Sequence, residues 1–181
     1  VTRCRGLALS VALCVLAPAR GDDPPRVPKE LAAPAGQTAV LTVRAKGVQI
    51  YKSVESKAGK LIWVLDSPLA DLLDAKDAKI GHHYGGPPFG GPVWEAADGT
   101  RLVRDLTEPV KQAAAPKPAD VPWLLVRVKA DGDKPGTLAR VAYVQRVLTE
   151  GGAPPADPPK RADTRVGVPY KATYVFSAPA K

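Results

Sequence analysis

VPYKATYVFS, residues 168–177, decides the fold class. Tyr170, Ala172, Tyr174 and Phe176 share one face of an extended chain there, and Lys171 and Thr173 the other. Successive side chains of a strand point to opposite faces, so this alternation marks a strand with one covered side. The same rhythm recurs upstream. In PWLLVRVKA (122–130), Leu124, Val126 and Val128 face in, while Arg127 and Lys129 face out. LARVAYVQRVLT (138–149) sets Val141, Tyr143, Gln145 and Val147 against Ala142, Val144, Arg146 and Leu148. GVQIY (47–51) places Val48 and Ile50 opposite Gln49 and Tyr51. QTAVLTV (37–43) suits a further strand, and the unbroken apolar run KLIWVL (60–65) predicts one covered on both faces.

Several such segments bounded by Gly and Pro predict an all-β domain, an antiparallel β-sandwich or jelly-roll-like fold. Many of the 20 prolines fall in 109–122 and 151–169, which read as long surface connections. One short helix is expected over about 67–75. Ser67 would cap it, Pro68 would open it, and Leu69, Leu72 and Leu73 would form its apolar stripe. At two turns it would depend on packing against the sheet.

The chain has 181 residues, enough for one domain and short extras. Its first residues read as a secretory signal peptide over 1–19. Arg3 and Arg5 form a positive start, Leu7 to Leu16 an apolar run, and Ala17-Pro18-Ala19 a cleavage site. The apolar run is shorter than the ~20 residues a membrane-spanning helix needs, so no transmembrane segment is expected after cleavage. Cleavage would remove both cysteines, Cys4 and Cys14, leaving no disulfide. It would also lower the formal charge from +8 to 24 basic against 18 acidic residues, +6. Residues 20–36 are Pro/Ala-rich and read as a linker, and 37–178 as a single β domain. The protein is expected to be secreted or periplasmic.

Both histidines lie in IGHHYGGPPFGGPVWEAADGT, residues 80–100. Adjacent strand residues point apart, so His82 and His83 do not suit one metal ion, and no cysteine is near; no metal and no cofactor is expected. His83 with Glu95 or Asp98 would supply an acid/base pair if the loop folded back. Set against that, Asp98-Gly99 is turn chemistry between two strands. No GxSxG motif is present. The prolines of GGPPFGGP lack the N–H groups that a phosphate loop uses, which leaves a surface loop with Phe89 at its tip. Trp63 and Trp123 lie in apolar runs and read as core, whereas Trp94 beside Glu95 suits a core or a ligand-stacking role. The basic residues are scattered without an aromatic-lined patch, so no nucleic acid is expected.

Taken in order, GVQIY, Trp63 with Ser67-Pro68-Leu69-Ala70, Gly81 with His83-Tyr84, Gly86-Pro87, Trp94-Glu95, Asp98-Gly99-Thr100, PWLL, VQRVLTEGGAPP and VPYKATYVF resemble the DUF3455 family over about residues 40–177. The resemblance implies an all-β secreted protein and transfers no mechanism. It also implies a cysteine pair in relatives, at positions held here by Ser53 and by the segment 156–160. Against the family pattern, PFGGP (88–92) looks like an inserted duplication, and His83 is the histidine that matches. His83, Tyr84, Trp94, Glu95 and Asp98 form the candidate polar cluster. Two functions stand: a non-catalytic envelope-associated binding or structural module, with a glycan or an anionic envelope surface as its partner, and an enzyme using His83 with Glu95 or Asp98.

Overall fold

A computed structural model describes residues 27–86 and 90–181; the expected signal peptide and Phe89 lie outside the described residues. Nine antiparallel strands form one sheet: β1 (Gln37–Glu55), β2 (Leu61–Leu73), β3 (Lys79–Gly86), β4 (Gly91–Ala96), β5 (Arg101–Arg104), β6 (Lys111–Ala113), β7 (Trp123–Ala130), β8 (Tyr143–Gly151) and β9 (Arg165–Pro179). The all-β antiparallel class is as the alternation predicts. The sheet is single, however, and not split into the two layers of a sandwich. β5 pairs with the second half of β7, and β1 pairs with β9 along nearly its whole length. Consecutive strands therefore close into an eight-stranded meander barrel, with β6 as an extra piece on the first half of β7. Closure removes the sheet's free edges and leaves one interior to fill.

Large and small residues alternate inside. Tyr170, Tyr174, Phe176, Trp94 and Leu102 are buried against Ala45, Ala70, Ala96 and Ala172. The face of 168–177 that carries Tyr170, Tyr174 and Phe176 is thus the lumen face. A second buried cluster lies outside the wall, where Leu31 packs on Leu125 and Tyr143. Gln145 Nε2 donates to the Leu31 carbonyl at 2.6 Å. The end of the expected linker is consequently docked on the barrel, through a 3-10 turn at Lys29–Leu31.

The helix expected over 67–75 does not form. Residues 67–73 belong to β2, with Ala70 and Leu72 buried in the lumen and Leu69 turned out and 54% exposed. Twelve residues of β2 are held in register by β1, which outweighs a cap and two turns of marginal helix. Pro68 sits where β2 is paired on one side only, since β3 pairs with it from Leu69 onward, and a bulge at Asp66 lies two residues away. Nor is KLIWVL covered on both faces, since Ile62, Val64 and Leu65 are 43–49% exposed. The hairpin at Asp98-Gly99 forms as expected between β4 and β5, with Gly99 at φ +80° and Ala96 N–H donating to the Thr100 carbonyl.

The far end of β1 meets the 152–164 connection. Ser53 N–H donates to the Thr164 carbonyl, and its own carbonyl accepts Asp163 N–H. Trp63, the strand partner of Ser53, donates Nε1–H to the Asp157 carbonyl at 2.9 Å. Ser53 Oγ is sealed and has no partner among the described residues. Ser53→Ala removes that unmet group and is expected to raise stability by up to about 1 kcal/mol, read as a shift of the urea midpoint.

Candidate functional site

A cavity of about 440 Å³ opens at one end of the barrel. Its floor comes from strands far apart in sequence: Gln49 on β1, His83 on β3, Trp94 on β4, Arg146 on β8 and Tyr174 on β9. Its rim includes Leu65 to Pro68 of β2 and Gly90 to Pro92. The described part of PFGGP (88–92), the segment expected to be an insertion, therefore borders the mouth.

His83 is 2% exposed. Its ring stacks on Trp94 at a centroid distance of 4.7 Å and an interplanar angle of 14°, and meets Tyr174 edge-on at 5.0 Å. Nδ1–H donates to the Val93 carbonyl at 2.9 Å, which fixes the neutral tautomer and leaves Nε2 as an acceptor. Burial holds the ring at a pKa of about 3. The Val93 bond opposes that depression and the Arg146 cation adds to it.

Arg146 is only 8% exposed. Strand parity sends it inward with Val144, and its Nε and Nη2 donate to the Pro122 carbonyl at 3.2 and 2.9 Å. That carbonyl is held in place because Val121 N–H donates to Gly151 and Thr149 Oγ to Val121. Among the described residues no carboxylate pairs with Arg146. Around it lies a layer of sealed polar atoms with unmet hydrogen-bonding capacity: both amide atoms of Gln49, the Tyr170 and Tyr174 hydroxyls, and Trp94 Nε1. Tyr170 approaches Gln49 and Tyr174, and Tyr174 approaches Arg146, closely enough for polar contact, but none of these contacts has the geometry of a full hydrogen bond. Burial pushes both tyrosines above the ordinary phenol range, and they stay neutral donors.

The five residues expected to cluster divide into three places. His83 and Trp94 are in the lumen. Tyr84 and Glu95 occupy the opposite strand parity on the outer face, where the Tyr84 hydroxyl donates to Glu95 Oε2 at 2.7 Å. Asp98 sits in the β4–β5 turn. Its Oδ1 accepts from Thr100 N–H and Oγ, and its Oδ2 from Thr137 N–H and Oγ, all within 2.6–2.9 Å. The Thr100 hydroxyl bond and its companions hold that carboxyl well below its usual range and tie the turn to the Thr137 loop. The His83–Glu95 and His83–Asp98 acid/base pairs are thus not formed. Among the described residues no three His, Cys, Asp or Glu side chains gather as a metal ion would require. Nor does any helix there have the length and apolarity to cross a membrane.

Gln49, Arg104, Arg146 and Tyr174 are not among the site residues expected from the sequence. Their only signal is a polar or amphipathic residue at a position whose neighbours two along, such as Val144 and Phe176, are apolar.

The architecture is that of a small closed barrel with a polar-floored pocket at one mouth. The chain belongs to the family described as "Protein of unknown function (DUF3455)", which matches residues 34–178. Neither a search of curated proteins nor one of solved structures finds a match.

Proposed function

We propose that this protein is a non-catalytic extracytoplasmic binding module that takes one small molecule into the mouth of its barrel. What carries the reading is the cavity of about 440 Å³ with apolar walls and a few convergent polar groups on its floor. An eight-stranded barrel is about wide enough for one small ligand, and sites of this size and lining suit small molecules. Trp94 argues against a glycan platform, because one face of its ring is already taken by His83. The basic start and short apolar run of residues 1–19 support action outside the cytoplasm.

The test is titration with N-phenyl-1-naphthylamine, an uncharged apolar fluorophore. One equivalent should bind with a rise in emission, and Ser67→Trp, which fills the rim, should lose it. No binding to the wild type, or equal binding to Ser67→Trp, would overturn the proposal.

A further inference from the structure

We infer that the pocket selects anions: it takes a small amphiphile whose carboxylate or sulfonate head pairs with Arg146 and whose apolar body fills the mouth. The inference rests on the pocket reading above and names the ligand's chemistry.

Arg146 is nine-tenths buried, lines the cavity, and has no acidic partner among the described residues. Buried charges in proteins are ordinarily paired, because an isolated one loses its hydration without return. The Pro122 carbonyl takes two of the five guanidinium N–H groups, on Nε and Nη2. The remaining N–H groups face the Tyr174 hydroxyl and the cavity that Arg146 lines. Arg104, on the wall, adds a second guanidinium, and its enclosed Nε has no acceptor among the described residues. Among the described residues one carboxylate lines the cavity, Asp66, and it is turned to Arg165 at 3.3 Å. Two cations therefore face a site whose only acid among the described residues is engaged elsewhere.

A fork of N–H donors fits a planar carboxylate or a sulfonate better than a neutral group. Above the polar floor the wall is largely apolar, with Leu65, Pro68, Val110, Leu124 and Val126. An anion without an apolar body would leave that wall uncovered, and an apolar molecule without a head would leave Arg146 uncompensated. An amphiphile satisfies both.

The experiment compares two dyes of one shape: 1-anilinonaphthalene-8-sulfonate, which carries the anion, and the uncharged N-phenyl-1-naphthylamine. The sulfonate should bind at least about tenfold more tightly at low salt. Arg146→Met should erase that advantage and leave the neutral dye bound, while Arg146→Lys should restore part of it. Wild-type protein alone gives a second measurement should Arg146→Met fail to fold. There, 1-naphthoate and decanoate should displace the sulfonate dye far better than 1-naphthamide and decanol, and whichever acid competes more strongly identifies an aromatic or an aliphatic body. Equal binding of the two dyes, an unchanged preference in a folded Arg146→Met, or equal competition by acids and their neutral analogues overturns the inference. If the neutral dye fails as well, the pocket reading falls with it; if only the anion preference fails, the pocket stands and its charge selectivity does not.

Discussion

Gly47→Ala is expected to cost at least about 3 kcal/mol and to leave little folded protein at 37 °C. Gly47 lies on the lumen face of β1, level with Ala70 of β2 and Tyr170 of β9. A Cβ built there falls 2.1 Å from the Leu69 carbonyl oxygen, 2.5 Å from Ala70 Cα and 2.6 Å from Ala70 Cβ. Two of those three atoms are backbone, so no rotamer change relieves the clash. β1 and β2 would have to part at the Gly47–Ala70 pair inside their ladder, and in a closed barrel that shift propagates to β9. Gly167→Ala is the control. Its Cβ meets Val48 side-chain atoms at an ordinary 3.5–3.6 Å, and it should be neutral within ~1 kcal/mol. Equilibrium urea unfolding of the two variants checks the contrast, and near-equal stabilities would refute the account of Gly47.

Acidification should destabilise the protein well above the pH at which carboxylates titrate. In the unfolded chain His83 takes up a proton near its ordinary pKa of 6.5, whereas in the folded chain burial holds it to about 3. Between those values the unfolded state binds the extra proton, so stability falls as pH falls and stops falling from this source below about 3. From pH 6.5 to 4.5 the loss is on the order of 2–3 kcal/mol, since each pH unit is worth about 1.4 kcal/mol. The groups facing His83 do not cloud that window. Tyr174, edge-on to the ring, is held neutral by burial. Asp98, Asp105, Glu108 and Asp163 are all depressed in the folded state, and their contributions are lost only at lower pH. His83→Phe keeps a ring between Trp94 and Tyr174 and removes the proton acceptor. Its unfolding free energy should be nearly flat from pH 6.5 to 4.5, and a wild-type slope retained in the variant would show that another group carries it.

Much of the barrel could be read from alternation, because a strand's side chains are bound to a period of two by covalent geometry. The Asp98-Gly99 turn was equally legible, since its φ of +80° is a local demand that glycine meets. Residues 67–73 were not. Ser67, Pro68 and three leucines carry real helix signals, and the strand wins through pairing with residues some twenty positions upstream. Half of the candidate site was misplaced for a related reason. His83, Tyr84, Trp94 and Glu95 are neighbours in a hairpin, and proximity alone cannot say that His83 and Trp94 turn inward while Tyr84 and Glu95 turn out.

By itself the sequence determined the all-β class, the strand parities and the turn at Asp98-Gly99, because each follows from a few residues and their backbone geometry. It even set Arg146 beside Val144 on one face of its strand. Only the tertiary structure decided which faces became the lumen, since that depends on β1 finding β9 across more than a hundred residues and on the ring closing. Closure is also what brought Gln49, His83, Trp94, Arg146 and Tyr174 to one cavity floor. Each sits there by the register of a different strand, and register is a long-range property that no single segment encodes.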